Sequence, residues 1–144
     1  MYYCTHLTKH PFLERSDDSM RAAEILHKQR CHPSTINRAY YAYLQCLLHT
    51  IFEKLNYDPN KLYNDSQWKG DGGTHVQASN LICRLLEKEL TPREYKWYQK
   101  TIKELKKQRT TADYFSEEIT IDESQIALRS ATDLITCVKQ NVKQ

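Results

Sequence analysis

The segment from Ile36 to Leu55 constrains the fold more than any other, because its apolar side chains recur every three or four positions. That spacing places them on one face of an α-helix, and such a face must pack against other elements to leave water. The 144-residue chain has only three Gly and four Pro, so few positions oblige a helix to break. We therefore predict an all-α protein. The apolar residues of this segment are Ile36, Ala39, Tyr40, Tyr43, Leu44, Leu47, Leu48, Ile51, Phe52 and Leu55.

Capping residues and prolines predict where the other helices begin. Ser16 followed by two Asp is typical of a helix N-terminus, and Thr91 before a proline is another such start. Asp122 is the predicted cap of the last helix, and Asn56 to Gly73 is rich enough in Asn, Asp, Gly and Pro to form a loop. The predicted helices cover about 16–28, 33–55, 74–90, 92–114 and 122–138.

These helices predict one compact domain. With 40% hydrophobic residues, a chain of this length suits a single core. Four substantial amphipathic helices pack most economically as an up-and-down antiparallel bundle, with the short first helix as an extra arm. We assign residues 1–15 to an N-terminal extension and residues 16–144 to the bundle.

Charge and cysteine content narrow the class of protein. No run of about 18 apolar residues is present, so we expect a soluble protein that does not enter a membrane. Five scattered cysteines without a Cys-x-x-Cys pair fit the reducing cytoplasm, and they do not have the spacing of a structural zinc site. We predict no metal and no cofactor. The net charge of +3 is too small to imply nucleic-acid binding by itself.

Basic residues nevertheless cluster on the fourth predicted helix. Lys96, Lys100, Lys103 and Lys107 follow one another at spacings of four, three and four, which places them on one helix face. Lys106 and Arg109 extend this basic stripe toward the end of the helix. A phosphate backbone with stacked bases suits such a stripe, since Tyr95, Trp97 and Tyr98 lie near its start. The alternative is an ordinary solvated face.

Two short motifs carry a resemblance to a known family. Asn37-Arg38-Ala39-Tyr40-Tyr41 begins the second predicted helix, and Arg109-Thr110-Thr111-Ala112-Asp113-Tyr114 ends the fourth. The pair resembles the HEPN domain (higher eukaryotes and prokaryotes nucleotide-binding), especially its small prokaryotic branch, over about residues 16 to 139. The resemblance implies a HEPN-like helical bundle and a homodimer with a composite groove. It also implies that Asn37 and Arg38 approach the Arg109 motif.

The chain departs from the family pattern at one position. Active ribonucleases of the family carry a His four to six residues after the Arg, whereas Tyr114 stands in that region here and the last His of the chain is His75. Arg109 suits a cation beside a scissile phosphate, but a Tyr with a pKa of about 10 is a poor proton carrier at neutral pH. The alternative is structural: Arg109 pairs with Asp113 four positions on, and Tyr114 packs the end of the bundle.

We consider two other histidines as replacements for the missing one. His49 shares a polar helix face with Arg38 and Gln45, and His75 follows the glycine-rich loop, where we expect a partly exposed helix-start residue. The candidate residues divide into two sets. The catalytic set is Arg109, Asp113 and Tyr114, and the RNA- or nucleotide-binding set is Asn37, Arg38, Lys100, Lys103 and Lys107.

Three functions remain open from the sequence. The first is a prokaryotic defence or toxin-antitoxin protein that binds RNA or nucleotides, with an atypical metal-independent endoribonuclease activity. The second is a non-catalytic HEPN module that acts through protein contacts, with a nucleotidyltransferase as partner. The third is an unrelated helical adaptor, in which case the motif pair is a coincidence.

Overall fold

The computed structural model describes residues 11–58 and 73–143, and these contain five helices and no strand. The prediction of an all-α chain is confirmed for this part. The second helix ends in a π-helical segment, His49–Lys54, and Asn56 follows with a positive φ of 56°. Residues 59–72 of the predicted loop lie outside the described part. The helices are α1 Pro11–Lys28, α2 His32–Leu48, α3 Thr74–Glu89, α4 Pro92–Tyr114 and α5 Ile121–Asn141.

The helix starts agree with the sequence at Thr91 and differ at two other positions. The Thr91 hydroxyl accepts from the Glu94 N–H at 3.2 Å, and the Glu94 carboxylate accepts from the Thr91 N–H at 3.1 Å, which forms a complete capping box. The predicted cap Asp122 is wrong, because the Thr120 hydroxyl caps α5 by accepting from the Glu123 N–H at 3.1 Å. Asp122 lies in the first turn instead.

The predicted cap at Ser16 is also wrong. The chain is already helical at Pro11, so α1 continues across the boundary predicted between residues 15 and 16. Ser16 is buried, and its hydroxyl donates to the carbonyl of Ala42 in α2 at 2.7 Å. Phe12 packs near Phe52, with ring centroids 6.1 Å apart. The start of α1 is therefore held against the end of α2.

The path of the chain differs from a simple up-and-down bundle. In such a bundle α2 and α4 run in the same direction, but Asn37 near the start of α2 contacts Asp113 at the end of α4, so the two are antiparallel. His75 at the start of α3 lies beside Tyr41 in the first half of α2, rather than beside the end of α2.

The core is built around α2, which packs against each of the other four helices. Tyr43 of α2 and Tyr98 of α4 are both buried, and their hydroxyls are 2.7 Å apart. Burial raises the pKa of both phenols well above the usual value, so each hydroxyl keeps its proton. Tyr40 and Tyr43 of α2 are thus both core residues, whereas Tyr41 is half-buried.

The cysteines behave as packing residues to different degrees. Cys46 is fully buried, and burial raises the pKa of its thiol to about 11. Cys83 and Cys137 are half-buried, whereas Cys31 is exposed and Cys4 lies outside the described residues.

Within the ranges 11–58 and 73–143, no helix is long and apolar enough to cross a membrane.

Candidate functional site

The two motifs meet where the first half of α2 lies against the end of α4. The Asn37 side-chain amide donates to both carboxylate oxygens of Asp113 at 3.1 Å. Arg109 lies one turn before Asp113, with its Nε 3.1 Å from the carboxylate. Arg38 donates to the amide oxygen of Asn37 through Nε at 3.2 Å and Nη2 at 2.9 Å. One carboxylate and one amide thus join two arginines across the helix pair.

Aromatic rings surround the guanidinium of Arg109. Its central carbon is 5.2 Å from the ring centroid of Tyr40 and 5.9 Å from the centroids of Tyr41 and Tyr114. A cation within about 6 Å of an aromatic face is stabilised by the ring quadrupole. The Arg109 Nη2 also lies 3.5 Å from the Tyr41 hydroxyl. These contacts fix the guanidinium while 18% of the Arg109 side chain stays exposed.

The tyrosines and Arg109 influence one another's protonation. Burial raises the pKa of Tyr40, and the nearby charge of Arg109 offsets only part of that rise. Partial burial acts to lower the pKa of Arg109, but the hydrogen bond to Tyr41 and the neighbouring acidic groups outweigh it and raise the pKa. Arg109 is therefore a permanent cation, and Tyr40 is a neutral phenol at physiological pH.

His75 joins this cluster from the first turn of α3. Its ring meets the Tyr41 ring edge to face, at 87° and with centroids 6.2 Å apart. Burial lowers the pKa of His75 below the usual 6.5, and the positive charges of Arg109 and Lys106 lower it further. The sequence predicts only a partly exposed helix-start residue here. The half-buried position agrees, but the contact with the Arg109 cluster depends on a chain path that local pattern does not reveal.

The basic stripe of α4 is exposed, and it leads to this cluster. Among the described residues, none of its lysines forms an ion pair with a carboxylate. Lys106 connects the stripe to the cluster, because it lines a groove and its charge also acts on His75. The groove has a volume of about 510 Å³ and is lined by Lys103, Lys106, Lys107, Thr110, Thr111, Phe115 and Glu117.

Three ring positions differ from what the sequence indicates. Tyr98 is fully buried and bonded to Tyr43, so it is wrong as a stacking residue beside the stripe, whereas Trp97 is 42% exposed. Phe115, which the sequence did not mark, is 59% exposed at the rim of the groove. Tyr114 does not pack the end of the bundle, because it is 71% exposed.

Other predicted partners lie elsewhere. The Gln45 amide group contacts the Ser19 hydroxyl of α1 at 2.7 Å, and His49 lies 2.9 Å from the Glu53 carboxylate. Of Arg38, Gln45 and His49, which share a polar face of the second helix, Arg38 is thus the residue that reaches the Arg109 cluster. Among the described residues, no group of three or more His, Cys, Asp or Glu side chains is placed to hold a metal ion.

Comparisons of the chain with models of protein families, with curated proteins and with solved structures return no match.

Proposed function

We propose that this protein binds RNA along α4 and is a HEPN-type, metal-independent endoribonuclease centred on Arg109, acting in a prokaryotic defence or toxin-antitoxin system. The observation that carries the proposal is the position of Lys106, which lines the lysine groove and whose positive charge also acts on His75 beside Tyr41 of the Arg109 cluster. The motif pair around Asn37 and Arg109 supports the family and hence the kind of system.

The groove on α4 has the chemistry that single-stranded RNA requires. Lys103, Lys106 and Lys107 supply positive charge for phosphates, and the exposed ring of Phe115 offers a surface on which a base stacks. Neither interaction reads a base sequence, so we expect binding with little sequence preference. At the end of this path, Arg109 is the permanent cation that stabilises charge on a reacting phosphate.

RNA binding is tested with a fluorophore-labelled single-stranded RNA in a salt titration. The double variant Lys103→Ala/Lys107→Ala removes two positive charges from the groove, so we expect it to bind RNA more weakly. Because each contact with a single-stranded phosphate contributes about 0.7 to the slope of log Kd against log salt concentration, we expect that slope to be smaller by about 1.4. The matched control is Lys88→Ala/Lys139→Ala, which removes two exposed charges from α3 and α5. If both double variants lose the same amount of RNA affinity, binding depends on the overall charge of the protein, and the proposed site on α4 is contradicted.

Cleavage is tested on the same RNA in the presence of a chelator. Arg109→Lys keeps the positive charge but loses the planar group that stacks on the tyrosine rings, so we expect slower cleavage at equal folded concentration. A wild-type protein that binds the RNA and leaves it intact would remove the ribonuclease part of the proposal.

A second candidate is a non-catalytic HEPN module that acts through protein contacts, either as a homodimer or with a nucleotidyltransferase partner. It is favoured by the internal bonding of Arg109, whose guanidinium already has a carboxylate and three rings as neighbours. Tyr114 and Phe115 are 71% and 59% exposed, and such exposed rings suit an interface. Light scattering of wild type against Tyr114→Ser/Phe115→Ser tests this candidate, which predicts a larger mass for the wild type.

A further inference from the structure

We propose that His75 is the catalytic residue that carries the proton in RNA cleavage at the Arg109 cluster. This inference rests on the proposed function and identifies the proton carrier, for which α4 itself offers no histidine. It assigns the role to a side chain from α3, a different helix from the one that carries Arg109.

The geometry that carries the inference is centred on Tyr41. The ring of Tyr41 meets His75 edge to face on one side, and its hydroxyl lies 3.5 Å from the guanidinium of Arg109. The imidazole and the guanidinium are thus held by the same ring. A phosphate bound at Arg109 is therefore next to Tyr41, the ring that His75 also contacts.

The environment of His75 keeps the imidazole neutral at physiological pH. Arg109 and Lys106 of α4 are the positive groups that act on it, and Tyr41 of α2 is the titratable side chain packed against its ring. Burial and the two positive charges lower the pKa of His75. A neutral imidazole accepts a proton, so His75 is in the form that a general base needs.

The other candidates lack one of these properties. His49 is 2.9 Å from the carboxylate of Glu53, and that carboxylate also accepts from the Phe12 N–H of α1. Tyr114 is near Arg109, but its side chain is a phenol rather than an imidazole, the group that most often transfers protons near neutral pH. Among the described histidines, His75 is the one that packs against the rings around Arg109.

The reaction that follows needs no co-reactant. His75 takes the proton from a ribose 2′-hydroxyl, the 2′-oxygen forms a bond to the adjacent phosphorus, and the bond from phosphorus to the 5′-oxygen breaks. The 5′-oxygen then receives the proton from the His75 imidazolium. The products are a 2′,3′-cyclic phosphate and a 5′-hydroxyl. Arg109 and Lys106 stabilise the added negative charge on the phosphate oxygens.

The test compares wild type, His75→Ala and His75→Gln on a labelled single-stranded RNA with a chelator present. We expect both variants to cleave about 100-fold more slowly or worse, since a general base contributes at least that much. Their affinity for a fully 2′-O-methylated RNA of the same sequence should be unchanged. Free imidazole should restore part of the rate to His75→Ala, which a merely structural role would not allow. His49→Gln is the matched control and should cleave at the wild-type rate.

The pH profile gives a second readout. The wild-type rate should rise with pH through the lowered pKa of His75 and level off by neutral pH, because only neutral imidazole accepts a proton. The residual rate of His75→Gln should lack this rise. His75→Gln keeps a polar side chain of similar length, so it provides the comparison if His75→Ala is poorly folded.

The outcomes separate this inference from the proposed function. Wild-type rates in both His75 variants would overturn the role of His75 and leave the ribonuclease proposal standing. RNA binding without cleavage by the wild type would overturn both the His75 role and the ribonuclease activity, while RNA binding stands. A wild-type protein that neither binds nor cleaves RNA would overturn the proposed function itself.

Discussion

Asn37 and Asp113 form a two-bond link between α2 and α4, in which one side-chain amide donates to both oxygens of one carboxylate at 3.1 Å. Each residue belongs to one of the two sequence motifs, so the two motifs meet in this contact. The same carboxylate lies 3.1 Å from Arg109 Nε. The hydrogen bonds from Asn37 therefore hold the Asp113 carboxylate in place, and this carboxylate in turn positions the guanidinium of Arg109.

Asn37→Ala should lower the free energy of unfolding by about 1–2 kcal/mol, because it removes charge-assisted hydrogen bonds between two helices. Chemical denaturation monitored by circular dichroism gives this value. Asn80→Ala, at an exposed position on α3, is the control and should change stability little. Equal stability of the two variants would mean that the link contributes nothing measurable.

Because Tyr43 and Tyr98 form a buried hydroxyl pair, the effects of their substitutions on the free energy of unfolding should not be additive. Tyr43→Phe and Tyr98→Phe should each cost about 1–2 kcal/mol, because each leaves one buried hydroxyl without its partner at 2.7 Å. The double variant removes both hydroxyls, so it should cost less than the sum of the two. A double-mutant cycle from urea denaturation measures the difference. Strict additivity would show that the hydroxyl contact is not energetically coupled.

Local sequence pattern was sufficient for most of the helices. The three-to-four spacing from Ile36 to Leu55 and the Thr91-Pro92 start depend on interactions within one or two turns, and both predictions are confirmed. The spacing of the α4 lysines likewise predicted their shared exposed face. Caps were less certain, since both Thr120 and Asp122 are good capping residues and only the local backbone decides between them.

The candidate site was only partly predictable because it depends on the path of the chain. The i, i+4 pairing of Arg109 with Asp113 follows from helix geometry, and the structure confirms it. The approach of His75 to Tyr41 requires α3 to begin beside the first half of α2, and nothing in the local pattern fixes that. The up-and-down path predicted from four amphipathic helices would have placed His75 elsewhere.

Replacing Ser124, which contacts two histidines beside the α1–α2 turn, should reduce the stability of the protein. Its buried hydroxyl lies 2.5 Å from Nδ1 of His27 and 2.9 Å from Nδ1 of His32, so it joins the α1–α2 turn to the start of α5. Ser124→Ala should lower the free energy of unfolding by about 1–2 kcal/mol, because two imidazoles lose a partner. Thermal and urea denaturation measure the loss. Ser130→Ala on the same helix is the control, and a loss of the same size there would contradict a specific role for Ser124.

His75 predicts how stability depends on pH. Its pKa is lowered in the folded state, so the unfolded chain binds a proton more readily below the ordinary value of 6.5. The contribution of neutral His75 to stability is therefore complete above about pH 6.5 and is lost as the pH falls toward the folded pKa. His75→Gln removes this term while leaving His27, His32 and His49 in place. The difference in unfolding free energy between wild type and His75→Gln, measured from pH 5 to pH 8, should decrease toward the acid end. A difference that stays constant over this range would show that burial and the cations of α4 do not disfavour the charged form of His75.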